Sequence, residues 1–170
     1  MLSRICFKAR GCFALLVLLA GLIIAPPVMA VEKGMEPPDF KLLSLAGEEV
    51  SLSDFRGKPI ILKLATTWCP SCKQQVKELI QIEEFLVDND IALIEVYVDE
   101  PEEAVREYLQ QRKSKLTSVA LIDEGQVARA YRLYTIPRLL LIDADFKVRR
   151  DRGVMVATDM QEQLQEMLNR

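Results

Sequence analysis

The sequence contains no histidine and only four cysteines among its 170 residues, and these two scarcities exclude several kinds of site. Without histidine, the chain cannot form a Cys-His nucleophilic dyad, a c-type haem attachment site or a histidine-containing zinc site. Cys6 and Cys12 lie in or beside the N-terminal apolar segment, so Cys69 and Cys72 are the only thiols of the remaining chain. Two thiols cannot form a closed structural zinc site unless carboxylates or a second chain supply the other ligands.

The sequence also lacks a concentration of positive charge. Its 22 basic and 25 acidic residues give a formal net charge of −3. The first ten residues contain Arg4, Lys8 and Arg10 and no acid, so without them 19 basic residues stand against 25 acidic ones. No basic stripe remains that would indicate a nucleic-acid-binding surface, and we therefore expect no nucleic-acid partner.

Residues 1–30 have the order of charged, apolar and small residues that is typical of a secretory signal peptide. Residues 11–25 form an uninterrupted apolar run, and Val28-Met29-Ala30 provides a cleavage site. Residues 11–31 are also about long enough to act as an uncleaved membrane anchor. Both interpretations predict that the domain after residue 30 lies outside the cytoplasm, in the periplasm or an equivalent compartment, either secreted or anchored by this segment.

Beyond residue 30, the hydrophobic pattern predicts a linker at 31–38 and a single α/β domain at 39–170. Residues 39–55 alternate polar and apolar around Ala46-Gly47, which indicates a β-hairpin. Strands and helices then alternate, which implies a central mixed sheet with helices on both faces. The predicted strands are 60–65, 91–98, 118–122, 138–143 and 146–154, and the predicted helices are 70–88, 101–113, 125–133 and a last helix that opens with a capping box at Thr158 and Gln161.

The two cysteines lie where strand 60–65 leads into helix 70–88. Backbone N–H groups at a helix N-terminus have no intrahelical partners and carry a partial positive charge, so a thiolate at Cys69 would be stabilised there. Pro70 suits the first helical position, where an N–H is not needed. A spacing of three residues brings Cys72 close enough for a disulfide. The pair can therefore cycle, with Cys69 attacking a substrate disulfide and Cys72 resolving the mixed disulfide.

Two other interpretations of the cysteine pair remain open. A structural disulfide is one, although a loop of four residues removes little entropy from the unfolded chain. A metal site built on two thiols is the other, although it lacks ligands.

The motif "TTWCPSCK", together with "YTIPRLLLID" and the order of strands and helices, resembles the thioredoxin superfamily. More narrowly, the chain resembles the extracytoplasmic thiol-disulfide oxidoreductases of the TlpA/ResA type. The leader, the hairpin before the first core strand and the segment "VDEPEEAVREYLQ" support this narrower match, which covers residues 37–168. The resemblance implies a thioredoxin-like fold with an added N-terminal hairpin.

The resemblance also implies roles for particular residues. Cys69 would be the nucleophile, Cys72 the buried resolving thiol, and Pro137 a cis-proline beside the disulfide. Ile136 would offer backbone groups to an extended substrate peptide, and Trp68, with Pro70 and Ser71, would lie in the substrate-binding region. The alternative for Trp68 is an ordinary core aromatic.

Three further positions either match the family pattern or depart from it. In the TlpA/ResA group an acid after the second core strand helps to set the thiol pKa values, and Glu100 falls at the matching place; its alternative role is a surface acid at a helix start. Thioredoxins carry a buried Asp where this chain has Lys63, which we expect either to lie beneath the disulfide and bias its pKa values or to snorkel from an edge strand. Gln75 stands where some relatives carry a second acid.

The resemblance implies a protein-disulfide reductase that needs no cofactor beyond the Cys69/Cys72 disulfide. It would act on disulfide-bearing substrate proteins, apocytochrome c among them, and would be kept reduced by a thiol-disulfide electron donor in the membrane. One alternative is a thiol peroxidase, because Thr66 precedes Cys69 by three residues as in peroxiredoxins, although their upstream proline is Leu62 here. The other is a non-enzymatic copper carrier that uses the same two thiols.

Overall fold

The computed structural model of the protein describes residues 31–169. The predicted signal peptide or anchor therefore lies outside the described residues. Within residues 31–169, no helix is long and apolar enough to cross a membrane.

The core of the domain is one mixed sheet of seven strands in the order β2-β1-β5-β4-β3-β6-β7. Strands β3, β4 and β5 are mutually parallel, whereas β1, β2, β6 and β7 join the sheet by antiparallel pairing. This arrangement confirms the predicted α/β class and the added hairpin. The strands are β1 (Lys41–Ser44), β2 (Glu49–Ser51), β3 (Ile60–Ala65), β4 (Ala92–Val98), β5 (Val119–Asp123), β6 (Arg138–Ile142) and β7 (Val148–Arg152).

Five α-helices and a short 3-10 helix (Leu52–Phe55) cover the sheet within the described residues. The α-helices are α1 (Pro70–Gln81), α2 (Glu83–Asp88), α3 (Glu102–Gln111), α4 (Gln126–Ala130) and α5 (Ala157–Leu168).

Two details of the helix prediction were wrong. The single helix 70–88 is divided at Ile82, which leaves helical geometry at φ −115° and ψ 17° and bonds back to Leu79.

The last helix does not begin with the predicted capping box at Thr158. It begins two residues earlier than that box predicts, at Ala157, and the residue before it, Val156, makes no side-chain cap. The carboxylate of Glu78 on α1 accepts the Ala157 N–H at 3.0 Å instead. A neighbouring helix thus satisfies a donor that the prediction assigned to a local side chain.

Strand β3 is buried along its whole length and divides the core in two. Its even-numbered side chains pack against the 3-10 helix and the α4 side of the sheet, around Tyr131 and Phe146. Its odd-numbered side chains face α1, α2 and α5. Successive side chains of a strand point to opposite faces, so Lys63 lies in the same row as Ala65, on the face that carries the cysteines.

Residues 31–38, predicted as a linker, make backbone contacts with the domain. The Gly34 N–H donates to the Val148 carbonyl at 2.7 Å, and the Val148 N–H donates to the Met35 carbonyl at 2.9 Å. These two hydrogen bonds hold the segment against the outer edge of β7.

Candidate active site

The two cysteines lie where β3 leads into α1, at the end of the sheet predicted from the sequence. Cys69 is the residue before the first turn of α1, and its sulfur accepts the Cys72 N–H at 3.3 Å. Pro70 occupies the first helical position, where the lack of an N–H has no cost. The Ser71 hydroxyl lies 3.1 Å from the Cys69 sulfur. Both cysteines are free thiols here, and both are buried.

The environments of the two thiols push their pKa values apart. Burial by itself raises the pKa of Cys69, but hydrogen bonds from the thiol and N–H of Cys72 and the hydroxyl and N–H of Ser71 outweigh it, so the pKa lies below its ordinary value. Burial is also the largest effect on Cys72, where the neighbouring Cys69 sulfur adds to it and the pKa rises to about 12. Cys69 is therefore suited to attack as a thiolate, while Cys72 is held protonated.

The loop before β6 closes one side of the site. The Ile136–Pro137 peptide bond is cis, as the family resemblance implied. The Ile136 carbonyl lies 4.0 Å from the Cys69 sulfur and 3.5 Å from the Ser71 hydroxyl, which donates to it. Trp68 is 67% exposed and is not a core aromatic, so its indole is available at the rim of the site.

Glu100 lies near the cysteines but contacts the loop that precedes them. Its carboxylate accepts the Thr67 N–H at 2.7 Å and the Thr67 hydroxyl at 2.6 Å. The observed contact therefore fixes the approach of β3 to Trp68 and Cys69, and Glu100 is more than a surface acid at a helix start.

Lys63 does not snorkel to solvent, because its side chain is only 1% exposed. Its ammonium group forms an ion pair of 2.5 Å with Glu95, the directly opposite residue of β4. The same carboxylate accepts the Tyr97 hydroxyl at 3.0 Å and pairs with Arg112 at 2.6 Å. The positive charge of Lys63 acts on Cys72 and lowers its pKa, against the larger effect of burial.

Glu95 and Arg112 were missed from the sequence. The available signal was a single acid in the otherwise apolar run "IALIEVYV", since a carboxylate inside a buried strand needs a partner. Burial raises the pKa of Glu95, but the charges of Lys63 and Arg112 outweigh it and lower the pKa to about 2. Glu95 is thus ionised at neutral pH, and its low pKa makes it a weak base.

Gln75 has a structural role that the family comparison did not suggest. It is fully buried, and its amide oxygen accepts the Met155 N–H at 2.7 Å while its amide nitrogen donates to the Met155 carbonyl at 3.2 Å. Gly153 lies in the same loop, beside the Pro137 carbonyl. A side chain at this position would place its Cβ 3.8 Å from that oxygen. One side chain of α1 thus holds the loop that runs past Pro137.

We expect Gln75→Ala to lower the free energy of unfolding by about 1–3 kcal/mol, because it leaves two buried backbone groups of Met155 unpaired. Urea denaturation measures the loss. Gln74→Ala, at an exposed position of the same helix, is the matched control and should change stability by less than about 0.5 kcal/mol. Equal losses from the two substitutions would show that the Gln75 contacts do not support the loop.

A thioredoxin-like sheet, a Cys-Pro-Ser-Cys motif at a helix N-terminus and an adjacent cis-proline define a thiol-disulfide oxidoreductase. The chain belongs to the AhpC/TSA family, whose pattern it matches over residues 34–151. It is 31% identical over 140 residues to "Thiol-disulfide oxidoreductase ResA" of Geobacillus kaustophilus, with 81% of this chain and 79% of that protein covered. The protein of the same name from Bacillus thuringiensis is 29% identical over 140 residues, with coverage of 82% and 79%.

A solved structure assigned as thiol:disulfide interchange protein DsbE from Chlorobium tepidum is also similar. It superposes with a TM-score of 0.72 at 25% sequence identity, covering 82% of this chain and 99% of that one. These names favour thiol-disulfide exchange over the thiol peroxidase and copper-carrier alternatives. Among residues 31–169, no group of three or more His, Cys, Asp or Glu side chains is arranged to hold a metal ion.

Proposed function

We propose that the protein reduces disulfides of substrate proteins outside the cytoplasm, and that oxidised apocytochrome c is among its substrates. A membrane thiol-disulfide protein would return electrons to the Cys69/Cys72 disulfide. The observation that carries the proposal is the contrast between the two thiols: Cys69 has a lowered pKa and Cys72 a strongly raised one.

The difference between the two thiol pKa values bears on whether the dithiol donates electrons to a substrate or accepts them. A strongly oxidising dithiol has a reduced form that is stabilised, as it is when the nucleophile's thiolate is held at very low pKa. In this site hydrogen bonds from Cys72 and Ser71 are the largest effects that lower the pKa of Cys69 and so stabilise its thiolate. The resolving thiol stays protonated. A nucleophile stabilised by hydrogen bonds, beside a resolving thiol that stays protonated, favours electron donation.

The surface around Cys69 fits an extended polypeptide as substrate. Trp68, which precedes Cys69 in the chain, is exposed, and the carbonyl of Ile136 lies 4.0 Å from the buried sulfur. Backbone groups can bind any extended segment, so we infer that selectivity comes from side chains of the substrate that contact this rim.

The substrate proposal is tested with a disulfide-bonded peptide that contains the haem-attachment motif Cys-x-x-Cys-His. The reduced protein should reduce this peptide faster than it reduces a scrambled peptide with the same composition and disulfide loop. Equal rates for the two peptides would contradict the apocytochrome assignment and leave general disulfide reduction in place. The compartment is tested by fractionating cells that express the full chain: recovery in the cytoplasm would overturn the proposed location.

The thiol environments also predict selective alkylation. At neutral pH, iodoacetamide should modify Cys69 in preference to Cys72, because the lowered pKa of Cys69 and the raised pKa of Cys72 give Cys69 the larger thiolate fraction. The Cys69 rate should fall as the pH drops through its lowered pKa, while Cys72 in the dithiol should react only as the pH approaches about 12. Peptide mass spectrometry reads out the modified position, and preferential modification of Cys72 would reverse the assigned roles.

A further inference from the structure

Three charged side chains are buried together on the cysteine face of the sheet. Lys63 is 1% exposed, Glu95 is fully buried and the Arg112 side chain is 11% exposed. We call this set the charge cluster. It contains two positive groups and one negative group, so its formal charge is +1. An unbalanced charge in a poorly solvated site is costly, and a nearby group able to carry negative charge would be stabilised.

The single carboxylate of the charge cluster is shared between both cations. One oxygen of Glu95 contacts the Lys63 ammonium at 2.5 Å and the Tyr97 hydroxyl at 3.0 Å, and the other contacts Arg112 at 2.6 Å. A second guanidinium nitrogen of Arg112 donates to the Ser118 hydroxyl at 3.1 Å. Because Arg112 takes part of the carboxylate's charge, Glu95 does not fully neutralise Lys63.

Cys72 is the nearby group able to carry that negative charge. Ala65 packs against both cysteines and lies two residues from Lys63 on the same face of β3, one pleat repeat of about 7 Å away. The other titratable groups near this region include Glu100 and two tyrosines. Burial raises the pKa of Tyr97 and of Tyr108, so both are neutral at physiological pH. Glu100 is engaged with Thr67.

The mixed disulfide is the state in which this arrangement matters. In the free dithiol, burial is the largest effect that keeps Cys72 protonated. The neighbouring Cys69 adds to it through a hydrogen bond and through its charge. Once Cys69 is bonded to a substrate sulfur, it carries no charge. The Cys69 charge, which raises the pKa of Cys72, is then absent, while the positive charge of Lys63, which lowers that pKa, remains.

We propose that the charge cluster serves the resolving step, by stabilising Cys72 as a thiolate once Cys69 is bonded to a substrate. Arg112 is a positioning residue in this step: it keeps Glu95 from neutralising Lys63. The role belongs to thiol-disulfide exchange itself and does not depend on the net direction of electron flow proposed above.

The Cys72 thiolate attacks the Cys69 sulfur, so that the Cys69–Cys72 bond forms and the bond between Cys69 and the substrate sulfur breaks. The substrate sulfur leaves with the electron pair and takes up one proton, which balances the proton that Cys72 released. The enzyme dithiol is oxidised, and the substrate disulfide is reduced.

The test measures Cys72 alone, in a Cys69→Ala background, by the pH dependence of its alkylation. Arg112→Gln keeps hydrogen-bonding groups but removes a charge, and we expect it to raise the alkylation midpoint by about one pH unit, which is about a tenfold slower reaction below the midpoint. Lys63→Met should raise the midpoint further. Arg112→Lys keeps the charge and should lie near the parent. Arg106→Met, an exposed arginine of α3 paired with Glu102, is the matched control and should leave the midpoint unchanged.

In the background with both cysteines, Arg112→Gln should lengthen the lifetime of the mixed disulfide by about tenfold in rapid-mixing experiments. An unchanged Cys72 midpoint in a folded Arg112→Gln protein, judged by its near-UV circular dichroism, would overturn the proposal. So would an Arg112→Lys protein whose midpoint moves as far as that of Arg112→Gln, because that result would indicate a packing role. None of these readouts requires a particular substrate, so they can fail while the reductase proposal stands.

Discussion

Cys69→Ser should reduce disulfide exchange to the uncatalysed rate, a loss of at least about a thousandfold, because the attacking thiolate is removed. Cys72→Ser should fail differently. Its Cys69 still attacks, but no thiol remains to release the substrate, so a mixed disulfide accumulates. Non-reducing gels and intact mass measurement after mixing with an oxidised substrate protein distinguish the two variants.

Ser71→Ala removes a hydroxyl 3.1 Å from the Cys69 sulfur and leaves both thiols in place. We expect it to raise the Cys69 pKa and to slow exchange without abolishing it, unlike either cysteine variant. A stable mixed disulfide through Cys72 in the Cys69→Ser protein would contradict the assignment of Cys69 as the nucleophile.

Glu95→Ala should lower the free energy of unfolding by about 3–5 kcal/mol, because it leaves the buried Lys63 and the largely buried Arg112 without their shared counter-ion. Glu49→Ala is the matched control. Glu49 forms an ion pair with Lys41 in which both side chains are more than half exposed, and such pairs contribute about 1 kcal/mol or less. Urea denaturation of both variants provides the comparison, and similar losses would show that the buried pair does not hold the fold together.

The same carboxylate predicts how stability depends on pH. The folded pKa of Glu95 is lowered to about 2, below its ordinary value of 4.5. The unfolded state therefore binds the proton more readily, and the contribution of Glu95 is fully present above about pH 4.5. It is lost as the pH falls toward 2. The Glu95→Ala protein should lack this component of acid destabilisation, which denaturation measured at several pH values can detect.

Local patterns predicted the strands better than the helix boundaries. Strand 60–65 was confirmed residue for residue because a short, continuous apolar run bounded by turn residues identifies a buried strand. The break at Ile82 was missed because apolar residues continue at helical spacing from α1 into α2. The start of α5 was missed because its cap is Glu78, which is remote in sequence.

The residues of the active site also differ in how far local sequence patterns could place them. Cys69 and Cys72 could be placed from the sequence, since their position depends only on a strand followed by a helix. Lys63 could be identified as anomalous, but its partner depends on the register between β3 and β4, a non-local property that brings it opposite Glu95. The cis conformation before Pro137 came from family resemblance alone, because most X–Pro bonds are trans.

The equilibrium reduction potential of the Cys69/Cys72 pair decides whether the protein donates electrons to substrate disulfides. The protein beginning near Val31 would be titrated against a defined thiol couple. We expect a value near that of thioredoxin, about −270 mV. A value near about −120 mV, as in strongly oxidising relatives of thioredoxin, would instead identify the protein as an oxidase.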